Sequence, residues 1–131
     1  MILQKVVDFA IKIKVIESVT GRLRINVPII KKIPEEYHIK DDTLTSVFLI
    51  IKGVTSVEFS YLTGDVIFTY EPEITDKKQI LKDVRKMIQI AFSYRKEFDY
   101  ITEGITIGEL KNDIGRMSEI IKHEMSKCVN S

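Results

Sequence analysis

The sequence predicts an α+β sandwich in which two helices cover one face of an antiparallel sheet, and three observations carry that prediction. Residues 53–72 read as a β-hairpin: Val57, Phe59 and Tyr61 alternate along its first arm, and Val66, Phe68 and Tyr70 along its second. Leu62-Thr63-Gly64-Asp65 supplies the turn, with Gly64 as the residue able to take a positive φ cheaply. Residues 22–28 alternate Leu23, Ile25 and Val27 against Arg22, Arg24 and Asn26, the pattern of a half-buried strand. Two further stretches, 41–52 and 76–91, repeat their apolar residues at helical spacing. The resulting order is strand, helix, strand, strand, helix, which is most of a split βαβ unit.

Taken along the chain, residues 2–13 place Ile2, Leu3, Val6, Val7, Ala10 and Ile13 at helical spacing. From Ile11 a period of two takes over, with Ile11, Ile13 and Val15 alternating against Lys12 and Lys14. Residues 1–14 are therefore either a helix or an edge strand. Thr20-Gly21 breaks the chain before the first clear strand, and Pro28 closes that strand. Residues 29–40, with Pro34, predict irregular chain or a single turn. Asp41 or Asp42 caps a helix running to Lys52, with Leu44, Val47, Phe48 and Ile51 as its apolar stripe. After the hairpin, which Pro72 ends, Thr75 or Asp76 caps a helix burying Ile80, Leu81, Val84, Met87, Ile88 and Ala91.

This is the order of a ferredoxin-like sandwich lacking one strand, and two segments compete to supply it: residues 11–16 and residues 98–107. Residues 108–130 form an extra C-terminal helix, with Leu110, Ile114, Met117, Ile121 and Met125 recurring every three or four residues. That stripe packs either on its own sheet or on a second copy. The organisation expected is an N-terminal element at 1–14, a ferredoxin-like domain at 15–95 and a helical extension at 96–131.

Composition narrows the function. The 131 residues match one domain with an extension, and 44% hydrophobic content is enough for a core. Charged residues at 30% with a net charge of +1 argue against a nucleic-acid protein held by overall basic charge. The single cysteine, Cys128, excludes an intramolecular disulfide and every Cys-x-x-Cys motif. No apolar run reaches about 18 residues, the length a membrane span requires. The apolar N-terminus is interrupted by Lys5, Asp8, Lys12 and Lys14, which makes a poor signal peptide. A cytoplasmic location is expected, with membrane association only through a partner.

Four pieces in order, Gly21-Arg22-Leu23-Arg24, Val27-Pro28, Ile51-Lys52-Gly53-Val54-Thr55-Ser56-Val57, and Leu62-Thr63-Gly64-Asp65-Val66 with Tyr70-Glu71-Pro72, resemble the heavy-metal-associated-like domain. The nearer likeness is to the variant branch that opens with a Gly-Arg-x-Arg strand. The resemblance covers roughly residues 15–92. It implies a ferredoxin-like fold and a setting in metal homeostasis, often beside a P-type metal-transport ATPase. It also marks a departure. Metal-carrying members hold soft ions through a Cys-x-x-Cys after their first strand. Here that loop reads Ile29-Ile30-Lys31-Lys32-Ile33, without a thiolate, and its two lysines repel a cation.

The candidate sites follow. Arg22 and Arg24 project from the polar side of a strand, where they could grip a partner's carboxylates or an anion, or pair with Glu58. His38 lies in a loop with Glu35, Glu36, Asp41 and Asp42, a donor set suited to Fe(II), Mn(II) or Zn(II) and equally to a solvated acidic loop. His123 and Cys128 fall on the C-terminal helix five residues apart, about 140° around it, so they share no face. No nucleophile elbow, phosphate-cradling glycine loop or paired-histidine motif occurs. The reading is a non-enzymatic adaptor in metal homeostasis, with iron the metal most compatible with the missing thiolates. Its partners would be a metal-transport ATPase or a second copy through the C-terminal helix, with no nucleic acid. Its rivals are a haem or metal carrier using His38 or His123, and a small-molecule sensor of the ACT type binding near Gly53 or Gly64.

Overall fold

The computed structural model describes residues 12–94 and 106–129. They run β1 (Lys14–Val19), β2 (Arg22–Asn26), α1 (Pro28–Lys31), a 3-10 turn (Glu35–Tyr37), α2 (Thr43–Phe48), β3 (Val54–Phe59), β4 (Asp65–Tyr70), α3 (Lys77–Ser93) and α4 (Ile107–Val129). The sheet has the order β1-β2-β4-β3 and is antiparallel throughout, so the chain is α+β with β2 and β4 at its centre.

Alternation dictates which face is buried. Leu23 and Ile25 of β2 and Val66 and Phe68 of β4 are fully buried, and they pack with Ile80, Val84, Met87 and Ile90 of α3. Phe48 of α2 meets Phe68 edge-on, with ring centroids 5.8 Å apart. Asp76 caps α3 through its side chain, which accepts from the Gln79 amide at 2.9 Å. On the opposite face, β2 presents Arg22, Arg24 and Asn26 and β4 presents Asp65, Ile67 and Thr69.

The N-terminal side supplies the strand that two segments competed for. β1 pairs with β2 at the sheet edge and extends to Val19, with a bulge between Val15 and Glu17. Residues 1–11 and most of the competing segment, 98–107, lie outside the described residues. At Thr106 the chain already enters α4, whose Glu109 amide donates to the Thr106 hydroxyl. The helix expected to reach Lys52 stops instead at Phe48. Beyond it Ile50 and Ile51 donate to carbonyls three residues back, Val47 and Phe48, and Gly53 turns the chain into β3 at φ +89°.

The C-terminal helix lies on its own molecule. Ile121 is buried, Met117, Ile120 and Met125 pack against the core, and α4 runs against α3 and α2. Lys111 of α4 bonds Asp41 in the loop before α2 at 2.5 Å.

Candidate functional site

The open sheet face is built on β2. Strand geometry turns Arg22, Arg24 and Asn26 to one side at successive two-residue steps, and pairing with β4 brings Asp65 opposite Asn26 and Ile67 opposite Arg24. Asp65 collects the polar groups around it. Arg24 donates Nε at 2.9 Å and Nη2 at 2.6 Å to its Oδ2, while Asn26 donates Nδ2 at 2.9 Å to its Oδ1. Asn26 also donates to the Thr63 carbonyl at 2.7 Å, which ties the hairpin turn to β2. The hydrogen bonds from Asn26, and then from Arg24, hold the Asp65 carboxyl below the usual carboxylate range.

Arg22 sits two residues along and pairs with Glu17 of β1 at 2.5 Å, both side chains being about half exposed. The carboxylate partners thus come from β1 and β4, whereas the sequence pointed to Glu58 of β3. Each guanidinium is oriented without being used up. Of its five N–H donors, Arg24 commits two to Asp65, and Arg22 commits one to Glu17. The donors left on this exposed face can receive further carboxylate oxygens, and the fixed planes favour a planar, bidentate anion.

The aromatic residues of the hairpin are not on this face. Phe68 and Tyr70 are buried in the core, and Phe59 and Tyr61 pack against it. A stacking platform for single-stranded bases needs such rings outward.

His38 belongs to a packed loop. Its ring stacks on Tyr61 at 3.9 Å and 5°, and Nε2 lies 2.9 Å from the Ile33 carbonyl. Tyr61 turns edge-on to Phe59, and its hydroxyl accepts from the Ile39 amide at 2.9 Å. Burial pushes the Tyr61 phenol up. Of the carboxylates near His38 in sequence, Asp41 is engaged by Lys111 and by Thr43, bonds that hold its carboxyl well below the usual range. Among the described residues, no three His, Cys, Asp or Glu side chains converge as a metal-binding group. His123 is exposed on α4, and the Cys128 side chain lies outside the described residues.

The space near the two glycines proposed for a small molecule is filled. A Cβ on Gly53 would lie 2.7 Å from the Thr75 methyl, and one on Gly64 would lie 3.0 Å from the Val27 carbonyl oxygen. A shallow groove of about 540 Å³ runs between α3 and α4, lined by Lys86, Tyr94, Glu124 and Lys127 among others. Tyr94 donates across it to Glu124 at 2.8 Å.

Sequence reasoning singled out Arg22 and Arg24 but missed Asp65 and Asn26. The turn at Gly64 shows that Asp65 opens β4, but its place level with Asn26 comes from the β2–β4 register, which no local signal records. Among the described residues, no helix is long and apolar enough to cross a membrane. No family model, curated protein or solved structure matches the chain.

Proposed function

We propose that this chain is a non-enzymatic protein-binding module that receives a partner's carboxylates on the open face of its sheet. The observation that carries the reading is the pair Arg22 and Arg24. Both stand on a central strand, both are oriented by carboxylates of neighbouring strands, and both keep N–H donors. The finer fold we infer is ferredoxin-like. It is supported by β2, α2, β3, β4 and α3 following the split βαβ order, with β1 beside β2 as the fourth strand.

A setting in metal homeostasis, with iron as the metal and a P-type metal-transport ATPase as the partner, rests on the resemblance of Gly21-Arg22-Leu23-Arg24 and the hairpin to the heavy-metal-associated-like variant branch. The missing Cys-x-x-Cys assigns this chain recognition and leaves soft-metal carriage to other proteins.

The test is calorimetric titration of the chain with the cytosolic segments of a metal-transport ATPase from the same cell. The Arg22→Ala, Arg24→Ala double variant should bind at least about tenfold more weakly. Its melting midpoint should fall modestly, because the exposed Arg22–Glu17 pair contributes about 0–1 kcal/mol while loss of Arg24 leaves the mostly buried Asp65 carboxylate to Asn26 alone. Circular dichroism should still show the native fold. Binding unchanged in the double variant removes the surface. Elemental analysis and an absorption spectrum of protein purified without chelators test the carrier reading. A stoichiometric metal or a haem band, lost in His38→Ala or His123→Ala, replaces the adaptor with a carrier.

A further inference from the structure

All six residues of β1 are exposed, among them Val15 at 42%, Ile16 at 52% and Val19 at 53%. Among the described residues, no strand pairs with its outer edge. An edge that carries free backbone donors and acceptors together with apolar side chains is a template for another strand. The pattern of β1 fits one occupant in particular, a second copy of itself.

Two antiparallel copies related by a two-fold axis perpendicular to the sheet can only face residues that point to the same side. In a regular strand, residues three apart point to opposite sides. The β1 bulge changes this. Lys14 lies opposite Asn26 and Glu17 opposite Arg24, both on the open face, so Lys14 and Glu17 share that face despite their spacing. On the other side, Ser18 lies opposite the buried Leu23, and Ile13 packs against the core. The flanks are therefore symmetric in their facing about the bulge at Val15–Ile16, Lys14 and Glu17 on one side and Ile13 and Ser18 on the other, with a positive charge before the bulge and a negative charge after it.

We propose that β1 is a homodimerisation edge, pairing antiparallel with β1 of a second copy so that Lys14 of each faces Glu17 of the other and Val15 and Ile16 meet at the axis. Two sheets then join into one of eight strands with a continuous open face. The contact is isologous and uses this edge of each copy once, so β1 pairing closes at a dimer. Lysines on an edge ordinarily discourage pairing. Opposite Glu17 they select a register instead, since opposite charges across a strand pair attract and like charges repel. The proposal needs no partner protein. It shares Glu17 with the carboxylate-binding reading, where that carboxylate pairs with Arg22 of its own chain, so Lys14→Glu is the variant that leaves the Arg22 pair in place.

Sedimentation equilibrium of the purified chain, from micromolar to millimolar, is the test, with circular dichroism melts to verify folding. The wild-type chain should show a monomer–dimer equilibrium. Lys14→Glu alone and Glu17→Lys alone each set like charges face to face twice, and each should weaken dimerisation by about tenfold or more. Mixing the two variants restores both attractions in a heterodimer, so the mixture should associate more tightly than either variant alone. A wild-type chain that stays monomeric overturns the proposal and leaves the edge to another segment or another protein. A dimer indifferent to Lys14→Glu, or a mixture no tighter than its components, also overturns it and moves the contact to α4 or another surface.

Discussion

At the residue scale, Gly53 and Gly115 show how differently one residue type is used. Gly53 turns the chain from α2 into β3 at φ +89°, with the Thr75 and Ile74 side chains close by. Alanine there would face a left-handed backbone costing about 1–2 kcal/mol and an overpacking term of about 1–3 kcal/mol. Gly53→Ala should therefore destabilise by about 2–5 kcal/mol in urea unfolding. Gly115 sits exposed on α4 with nothing within 4 Å of a Cβ. Gly115→Ala should stabilise by about 0.5–1 kcal/mol in the same assay, because alanine loses less backbone freedom in a helix. Both positions stand where the sequence pattern places them, Gly53 at the head of the hairpin stretch 53–72 and Gly115 inside the helical pattern of 108–130. What was not legible was the packing of Thr75 on Gly53, a contact made across 22 residues by the return of the hairpin.

At the element scale, α4 raises the question of what holds it. One of its polar tethers, beside the Tyr94–Glu124 hydrogen bond, is the Lys111–Asp41 pair, but both of that pair's side chains are substantially exposed, where water and salt screen an ion pair. Ile121, at 3% exposure, buries a full side chain among the core residues. Ile121→Ala should cost about 2–5 kcal/mol and speed amide exchange along α4. Asp41→Asn should cost much less, and an equal loss from the two would reverse this ranking. The three-and-four spacing of Leu110, Ile114, Met117, Ile121 and Met125 announced the helix and its apolar side. It could not say whose surface that side would meet, since periodicity describes a face and carries no information about its neighbour. The shortening of α2 was hidden for a similar reason. Leu49 to Lys52 keep a helical pattern, yet the chain tightens into three-residue turns to deliver Gly53 to the sheet.

At the scale of the whole molecule, the polar contacts set an acid response. Asp65, Asp41 and Glu124 are all held below their ordinary pKa, chiefly by hydrogen bonds from Asn26 and Arg24, from Lys111 and Thr43, and from Tyr94. A carboxyl with a lowered folded pKa contributes its stability above the unfolded value near 4 and loses it as pH falls through the folded value. Asp83, raised by burial, works in the opposite direction. With three carboxyls against one among the described residues, the melting midpoint should hold from pH 7 to about 5 and fall below about 4. Asp65→Asn should flatten that fall. A midpoint rising on acidification would mean that desolvation outweighs the hydrogen bonds.

By itself the sequence determined the α+β class, the strand of Arg22 to Asn26, the hairpin, a helix start at Thr75 or Asp76 and the helical nature of the last segment. These depend on neighbours two to four residues apart, and period, turn residues and caps record such neighbours directly. It also singled out Arg22 and Arg24 as the polar side of a strand. Only the tertiary structure decided that the fourth strand is β1, that the carboxylates on those arginines are Glu17 and Asp65, and that His38 stacks on Tyr61. It also turned α4 inward and left β1 as the exposed edge. Each of these depends on which residues distant in sequence meet across the sheet, and a linear pattern does not encode that pairing.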